Sequence, residues 1–327
     1  MTPGPPVKAS PAKESDLSVV SVTSVHGRDE DRVRRLSAIP PVPARLALDT
    51  DTANEIDDQF ALVHVVLAPD RVRLEAVYAA PFASDRAPTP AGGMRKSEAE
   101  IHRVLDAAGH KVPVFPGSEQ WLTEAGRPVP SPAADDLIER SRSGDSPLYV
   151  VAIGAPTNVA SALLADPTLA ARIVVVWLGG HALTWGDTAE FNLMQDPDAS
   201  RVLLDSGVPL VLVPCAGVTD HMITTKAEID RYVRPRGAVG ALLAGLYDDY
   251  VPDEPGQSKV IWDMAATAWV LNQDWLDTGF VTSPRLTGDL TWSRDPARHL
   301  IRSTTQVHRD QIFGDLFRRL AEHDGVR

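Results

Sequence analysis

A ten-residue segment of the chain carries five acidic side chains. They are Asp49, Asp51, Glu55, Asp57 and Asp58. The segment lies between apolar runs at 44–48 and 59–67, which are typical of a buried strand and a buried helix. Carboxylates so close together repel one another, and charges that leave water need a partner or a metal ion. Because Ca²⁺ takes about six to eight oxygen ligands, the pattern favours a metal site over a solvated acidic turn.

The composition limits the classes of protein to which this chain can belong. The 327 residues are 43% hydrophobic and carry a net charge of −12, which argues against general electrostatic binding of nucleic acid. No apolar run reaches the length of a membrane span, and the N-terminal segment lacks the apolar stretch of a signal peptide. The single cysteine, Cys215, excludes an internal disulfide and favours a reducing, cytoplasmic location. We interpret it as a small buried hydrophobe and not as a nucleophile.

The pattern along the chain predicts one large domain. Residues 1–42 are rich in Pro, Ser and charge and predict a flexible N-terminal tail, followed by a domain at 43–327. Strand-like runs and helical stretches alternate from residue 44 onward, which predicts an α/β fold with a mostly parallel central sheet flanked by helices. The predicted strands are 45–48, 73–79, 113–115, 148–153, 173–178 and 209–213, and the predicted helices include 57–67, 96–108, 158–164 and 197–206.

Further motifs lie beside predicted strand ends and helix starts. They are Gly154-Ala155-Pro156-Thr157-Asn158, Gly179-Gly180, Ala189-Glu190-Phe191-Asn192 with Asp196-Pro197, and Trp262-Asp263. A turn with Pro and Thr leaves backbone carbonyls free, and paired glycines let a ligand approach the backbone. Asp196 and Asp263 also suit helix N-caps. Since ligands of open α/β sheets bind at the carboxyl ends of strands, the motifs predict a common site there.

Together with the acidic segment, these motifs give residues 45–319 a resemblance to the inosine-uridine-preferring nucleoside hydrolase family. The resemblance implies a Rossmann-like nucleoside hydrolase fold for the catalytic domain and a tightly bound Ca²⁺ ion. It also implies hydrolysis of the N-glycosidic bond of ribonucleosides to ribose and free base. The expected partner is a small-molecule nucleoside, with neither nucleic acid nor membrane. Homodimers and homotetramers are common in the family, so self-association is a further expectation.

The same resemblance implies a set of metal ligands. Ca²⁺ would be bound by Asp51, Asp58, Asp263 and the backbone carbonyl of Thr157. Asp51 would also act as the general base that takes a proton from the attacking water. Asp49 would hold the acidic loop in place.

The resemblance also implies the residues that bind substrate. Asp57 and Asn192 would hold the ribose hydroxyls with help from Asp263, and Glu190 would reach toward the 5′ side. Cleavage of the ribosyl C–N bond passes through an oxocarbenium-like state. Carboxylates and carbonyls around the sugar stabilise that positive charge, and the grip on the hydroxyls positions the ring for attack.

The chain departs from the family pattern in three places. Its acidic loop has two more residues than usual, which leaves Glu55 as an alternative metal ligand. The asparagine expected after the second strand is absent, and Ser84 or Asp85 could replace it. The asparagine expected before the Ala-Glu-Phe-Asn motif is also absent, and Thr184-Trp185-Gly186 stands in its place. The contacts to the 5′ end of the ribose therefore stay open.

Trp262 occupies a position where many family members have a histidine that is thought to protonate the leaving base. Tryptophan has no titratable proton, but purine-specific members resemble this chain here, and stacking of a base on an aromatic ring contributes about 1–3 kcal/mol. We therefore predict that purine ribonucleosides are preferred over uridine and cytidine. Trp262 would stack on the base in the catalytic site, with Phe82 as the second aromatic. The alternative is that Trp262 is a core residue at a helix start.

Two other classes of protein compete with a nucleoside hydrolase. Residues 46–52 resemble the first motif of haloacid-dehalogenase-type phosphatases, in which Asp49 would be the nucleophile and Mg²⁺ the metal. That hypothesis does not account for the Asp57-Asp58 pair or the motif at 189–192. The other alternative is a catalytically inactive ribose- or nucleoside-binding protein. His221, which follows the last predicted strand, is interpreted as a surface residue.

Overall fold

The computed structural model describes residues 29–123 and 126–325, and its strands are as follows. They are β1 (Ala44–Thr50), β2 (Val72–Ala79), β3 (Val114–Pro116), β4 (Leu148–Ala152), β5 (Ile173–Leu178), β6 (Leu210–Val213), β7 (Ile223–Thr225), β8 (Ser258–Val260), β9 (Leu276–Thr282), β10 (Arg285–Leu286), β11 (Trp292–Ser293) and β12 (Leu300–Val307). The central sheet has the order β3-β2-β1-β4-β5-β6-β12-β9. Its neighbouring strands are parallel except for β9, which runs antiparallel to β12.

Helices cover both faces of this sheet. They are α1 (Asp29–Ser37), α2 (Asp57–Val66), α3 (Pro90–Ala108), α4 (Pro132–Ser141), α5 (Thr157–Ala165), α6 (Phe191–Gln195), α7 (Pro197–Asp205), α8 (Lys226–Glu228), α9 (Gly237–Tyr250), α10 (Met264–Leu271) and α11 (Arg309–Gly325). Side chains alternate across a strand, so Leu46 and Leu48 of β1 enter one apolar core and Ala47 enters the other. The first core contains residues of α2, α3, α9, α10 and α11, and the second contains residues of α4, α5 and α7.

The predicted α/β class with a mostly parallel sheet is confirmed, and the six predicted strands correspond to β1–β6. Strands β12 and β9, which complete the sheet on the β6 side, were not predicted from the sequence. Their segments are only partly buried and carry polar residues, so they lack the continuous apolar run of a strand covered on both faces. Within the described residues, no helix has the length and apolar character needed to cross a membrane.

Helix α3 begins at Pro90, six residues before the predicted start at 96. Thr89 caps this helix, because its side chain accepts a hydrogen bond from the backbone N–H of Gly92 at 3.1 Å, and Pro90 occupies the first turn. Asp196 caps α7 in the same way by accepting from the backbone N–H of Ala199 at 3.0 Å. The predicted N-cap role of Asp196 therefore matches the structure.

The prediction of a flexible tail over residues 1–42 is wrong for the part that the structure describes. Asp29–Ser37 forms α1, and residues 1–28 lie outside the described residues. Leu36 is fully buried in the first core, and its carbonyl accepts a hydrogen bond from the Arg302 guanidinium of β12 at 2.6 Å. Arg32 donates to the carbonyl of Gly207 at 2.7 Å. Tertiary contacts of this short helix outweigh a local composition that is typical of disorder.

These contacts predict that α1 contributes to the stability of the domain. Leu36→Ala should lower the free energy of unfolding by about 2 kcal/mol or more, because it removes a buried side chain and leaves a cavity. Urea unfolding would measure the change. Ile39→Ala is the matched control, since Ile39 is 80% exposed and its truncation should change stability by no more than about 0.5 kcal/mol. Equal stability of the two variants would contradict the docking of α1.

Candidate active site

The carboxyl end of β1 forms one wall of a cavity of about 270 Å³. Asp51 directly follows β1, Asp57 and Asp58 begin α2, and Asp263 directly precedes α10. All four carboxylates line the cavity and are buried. The side chain of Asp263 makes no capping hydrogen bond to α10, which argues against the simple N-cap interpretation of this residue.

The acidic side chains lie close together. Carboxylate oxygens of Asp57, Asp58 and Asp263 lie within 4.8 Å of one another. Asp58 Oδ1 accepts hydrogen bonds from the hydroxyl of Thr50 and, at 3.1 Å, from the backbone N–H of Asp51. Asp51 Oδ2 is buried and has no hydrogen-bond partner. This arrangement leaves carboxylate oxygens directed at one another or unpaired inside the protein.

Burial and mutual repulsion shift the titration of these groups. Burial, followed by the charge of Asp57, raises the pKa of Asp58 to about 8. Burial raises the pKa of Asp57 to about 6, although the Lys259 charge opposes this shift. The pKa values of Asp51 and Asp263 lie well above the ordinary value, again chiefly because of burial and then because of neighbouring aspartates. The four groups cannot all be ionised at neutral pH without a compensating positive charge.

A divalent cation fits this donor set. Hard cations take carboxylate and carbonyl oxygens as ligands, and the orphaned Asp51 Oδ2 together with the three clustered aspartates offers such oxygens on one side of the cavity. Glu55, the alternative ligand, pairs with Lys259 at 2.5 Å and lines the same cavity. The register with Asp57 and Asp58 as the functional pair stays a prediction.

The first two residues of α5 each bind a buried aspartate of a neighbouring element. Asn158 donates from Nδ2 to Asp49 Oδ1 at 2.8 Å, and its Oδ1 accepts from the backbone N–H of Ser118 at 2.8 Å. Thr157 is buried, and its hydroxyl donates to Asp196 Oδ2 at 2.8 Å. The predicted supporting position of Asp49 thus agrees with the structure, whereas the Thr157 carbonyl as a metal ligand stays a prediction.

The motif at 189–192 lies at the carboxyl ends of β4 and β5. Asn192 Nδ2 donates to the carbonyls of Ile153 at 3.2 Å and Leu178 at 3.1 Å, and both Asn192 and Glu190 line the cavity. Glu190 caps α6: its carboxylate accepts from the backbone N–H groups of Asn192 and Leu193, and also from that of Gly180 at 2.8 Å. Burial raises the pKa of Glu190 to about 7. Both carboxylate oxygens of Glu190 accept hydrogen bonds from backbone N–H groups. Its contact with the 5′ side of the ribose stays a prediction.

The aromatic residues of the site are Trp262 and Phe191, which both line the cavity. Phe82, the predicted second stacking residue, is fully buried in the protein and lies outside the cavity lining. Phe191, and not Phe82, is therefore the second aromatic residue that lines the cavity. The signal for Phe191 was its place in the motif between Glu190 and Asn192, which the sequence analysis assigned to ribose binding only.

Other candidates lie away from the site or at its edge. Ser84 pairs with Ala87 in a turn outside the cavity lining, beside the exposed Asp85. His221 is half-exposed and bonds through Nε2 to the carbonyl of Val307 at 2.8 Å, as the surface interpretation predicts. His181, which directly follows the Gly179-Gly180 pair, also lines the cavity and was not predicted from the sequence. The lone Cys215 also lines it, and burial holds the pKa of its thiol well above the ordinary value.

Residues 46–308 match the family model described as inosine-uridine preferring nucleoside hydrolase. The chain therefore belongs to this family. The phosphatase alternative is wrong, since Asp49, its required nucleophile, is fully buried, bonded to Asn158 and outside the cavity lining.

Curated relatives match part of the chain. A pyrimidine-specific ribonucleoside hydrolase RihA from Salmonella arizonae is 30% identical over 154 residues, which is 45% of this chain and 49% of the relative. The protein of the same description from Klebsiella pneumoniae is 31% identical over 141 residues, or 41% of this chain and 45% of the relative. The chain spans about half the length of the curated relatives it matches.

Solved structures match nearly the whole domain. An inosine-guanosine nucleoside hydrolase has a TM-score of 0.71 at 19% identity, with 86% of this chain and 99% of that chain covered. A purine-preferring ribonucleoside hydrolase from Gardnerella vaginalis has a TM-score of 0.65 at 20% identity, with coverages of 86% and 100%. At these identities the likeness shows the fold, which is that of nucleoside hydrolases.

Proposed function

We propose that the protein is a ribonucleoside hydrolase that cleaves the N-glycosidic bond to give ribose and free base. The observation that carries this proposal is the cavity itself, whose lining combines buried carboxylates with the aromatic rings of Trp262 and Phe191. A sugar that develops positive charge suits the carboxylates, and a flat base suits the aromatic rings. Membership of the nucleoside hydrolase family supports the same reaction.

The cofactor of this proposal is Ca²⁺. Asp51, Asp58, Asp263 and the Thr157 carbonyl would hold the ion, and the orphaned Asp51 oxygen and the clustered carboxylates support that choice. When bound, the ion would polarise a water molecule and the ribose hydroxyls as a Lewis acid. It would also supply the positive charge that lets the aspartates ionise together.

The chain's own residues would position and activate the reactants. Asp51 would accept a proton from the attacking water as general base. Asp57 would accept hydrogen bonds from the ribose hydroxyls. Both amide hydrogens of Asn192 are bound to the carbonyls of Ile153 and Leu178, which leaves Oδ1 as the atom that would accept from a ribose hydroxyl. A carboxamide fixed in this way grips the sugar at little further entropic cost.

Purine ribonucleosides are the preferred substrates in this proposal. Trp262 and Phe191 both line the cavity, and two aromatic faces favour the larger of the two kinds of base. The relatives differ in this respect, since the Salmonella arizonae protein is described as pyrimidine-specific and the Gardnerella vaginalis protein as purine-preferring. Assembly as a homodimer or homotetramer stays a prediction. The alternative, an inactive nucleoside-binding protein, is tested by the assay for release of ribose.

The first prediction is catalytic release of reducing sugar from a ribonucleoside. Inosine, adenosine, guanosine, uridine and cytidine would be supplied separately, and free ribose would be measured with a reducing-sugar assay. Asp51→Asn should lower kcat by about 10²–10⁴-fold while the protein stays folded, because it removes a general base. Asp198→Asn is the control, since its 39%-exposed carboxylate on α7 pairs with Arg201 outside the cavity lining. Binding of inosine without any release of ribose would identify the inactive alternative.

The second prediction concerns the metal. A hundredfold excess of Ca²⁺ over its Kd should stabilise the native state by about 2.7 kcal/mol relative to chelator. Asp263→Asn should shrink this Ca²⁺-dependent rise in Tm, yet in chelator it should be at least as stable as the wild type, because one repelling carboxylate is gone. Asp198→Asn should respond to Ca²⁺ as the wild type does. A wild-type Tm indifferent to Ca²⁺ would contradict the site.

The third prediction concerns the base. Trp262→Ala should lower kcat/KM for inosine by about tenfold or more, as expected for loss of a stacking contact of about 1–3 kcal/mol. Trp262→Phe should recover part of the loss, since it restores an aromatic face. The Ca²⁺-dependent rise in Tm should persist in both variants. A wild-type kcat/KM that is higher for uridine than for inosine would overturn the purine preference.

A further inference from the structure

The carboxylates of the cavity come from two segments that are far apart in the sequence. Residues 51–58 contain Asp51, Asp57 and Asp58, and residues 259–263 end with Asp263. Carboxylate oxygens of Asp57, Asp58 and Asp263 nevertheless lie within 4.8 Å of one another. Contacts between the two segments must therefore hold these oxygens together.

Two contacts outside the carboxylate cluster join the segments. Lys259 Nζ donates to Glu55 Oε2 at 2.5 Å, and the two groups form an ion pair. Three residues further along the second segment, the backbone of Trp262 forms a hydrogen bond with the Asp57 carboxylate. Both contacts are attractive, so they hold the two segments side by side at this end of the cavity.

The next residues along the same two segments repel each other when they are ionised. Asp58 directly follows Asp57, and Asp263 directly follows Trp262. Each of these two carboxylates is buried, and the charge of Asp58 acts on Asp263. Since like charges at short range push apart, the attractive contacts must oppose that force.

The ammonium group of Lys259 is held in place by several neighbours. Its side chain is only 10% exposed, and Nζ also donates to the carbonyl of Val260 at 2.8 Å. Nζ lies 5.4 Å from the centroid of the Tyr250 ring, and the Tyr250 hydroxyl forms a hydrogen bond with Glu55. The backbone of Lys259 lies in β8, opposite Thr224 of β7. An ion pair fixed in this way loses less side-chain entropy than a pair between two exposed, mobile side chains.

We propose that the ion pair between Glu55 and Lys259 is a clasp that holds the two segments together, so that Asp58 and Asp263 are already adjacent when Ca²⁺ binds. In this role Glu55 and Lys259 are positioning residues and not metal ligands. The inference rests on the metal site of the proposed function. Ligands that are positioned in advance bind more tightly, because less free energy is spent on bringing them together.

A charge-neutral double variant tests the clasp. Glu55→Gln/Lys259→Met removes one charge of each sign, so the net charge around the site is unchanged while the ion pair is lost. The Kd for Ca²⁺ would be measured by isothermal titration calorimetry on chelator-treated protein. Lys259→Arg keeps a cation that can pair with Glu55. The matched control is Asp198→Asn/Arg201→Gln, which removes an ion pair of 2.7 Å outside the cavity lining.

The expected result is a loss of metal affinity without a matching loss of turnover. Glu55→Gln/Lys259→Met should raise the Kd for Ca²⁺ by about tenfold, and kcat for inosine at saturating Ca²⁺ should stay within about threefold of the wild type. Lys259→Arg and the control variant should keep a Kd close to that of the wild type. This pattern distinguishes positioning of the metal ligands from general damage to the fold, which would lower kcat as well.

The single variant Lys259→Met separates the clasp from the alternative in which Glu55 is itself a metal ligand. Loss of the clasp should weaken binding of Ca²⁺. A Glu55 carboxylate released from Lys259 and free to bind the ion would instead leave the affinity unchanged or increase it. Binding of Ca²⁺ by Lys259→Met that is as tight as in the wild type, or tighter, would therefore overturn the proposal.

Other results also decide against the clasp. A wild-type Kd in Glu55→Gln/Lys259→Met would show that the ion pair does not support the metal site, and an equal loss in Lys259→Arg would show that charge pairing is not the cause. If the double variant does not fold, Glu55→Gln replaces it, since that side chain is 39% exposed, and an unchanged Kd would again overturn the clasp.

The clasp and the proposed hydrolase function fail in different ways. A wild-type protein that binds Ca²⁺ but releases no ribose from any nucleoside would refute the hydrolase function, and the comparison of Kd values would still decide whether the clasp exists. A wild-type protein that does not bind Ca²⁺ would overturn the metal site and the clasp together.

Discussion

Mutual repulsion among buried carboxylates is the constraint on which the rest of this structure depends. Asp51, Asp57, Asp58 and Asp263 come from two separate chain segments, yet the fold brings them together near the carboxyl end of β1, out of water. Such an arrangement raises the free energy of the metal-free protein. The surrounding elements must therefore be stable enough to hold it, and two apolar cores on opposite faces of an eight-stranded sheet supply that stability.

Polar side chains around the site form hydrogen bonds to other parts of the protein in the absence of substrate. Asn192 binds the carbonyls of β4 and β5, Asn158 connects Asp49 to the chain before α4, and Glu190 caps α6. Each of these bonds satisfies a buried polar group and fixes the orientation of a neighbouring one. Among the carboxylates that line the cavity, Asp51 Oδ2 is buried and stays without a hydrogen-bond partner.

The core of the fold was predictable from the sequence because its parallel strands are continuous apolar runs. The acidic loop was predictable because it lies between one such strand and a buried helix. The sequence did not predict β9 and β12, whose half-polar pattern is interpretable only once β6 is in place beside them. It also misjudged Phe82, because an apolar residue after a strand can enter the core or the cavity with equal ease. His181 was missed for a related reason: only the turn at Gly180 brings it to the cavity.

The ion pair between Lys259 and Glu55 has a consequence for the balance between folding and metal affinity. Lys259 belongs to β8, which pairs with β7 outside the main sheet, and its charge also acts on Asp57. A fixed ammonium beside the acidic loop partly neutralises the repulsion that a metal ion would otherwise relieve. The same positive charge repels an incoming cation. Glu55 pairs with this ammonium, and its own charge acts on Asp57 in the opposite sense, so both effects are smaller than those of an unpaired lysine.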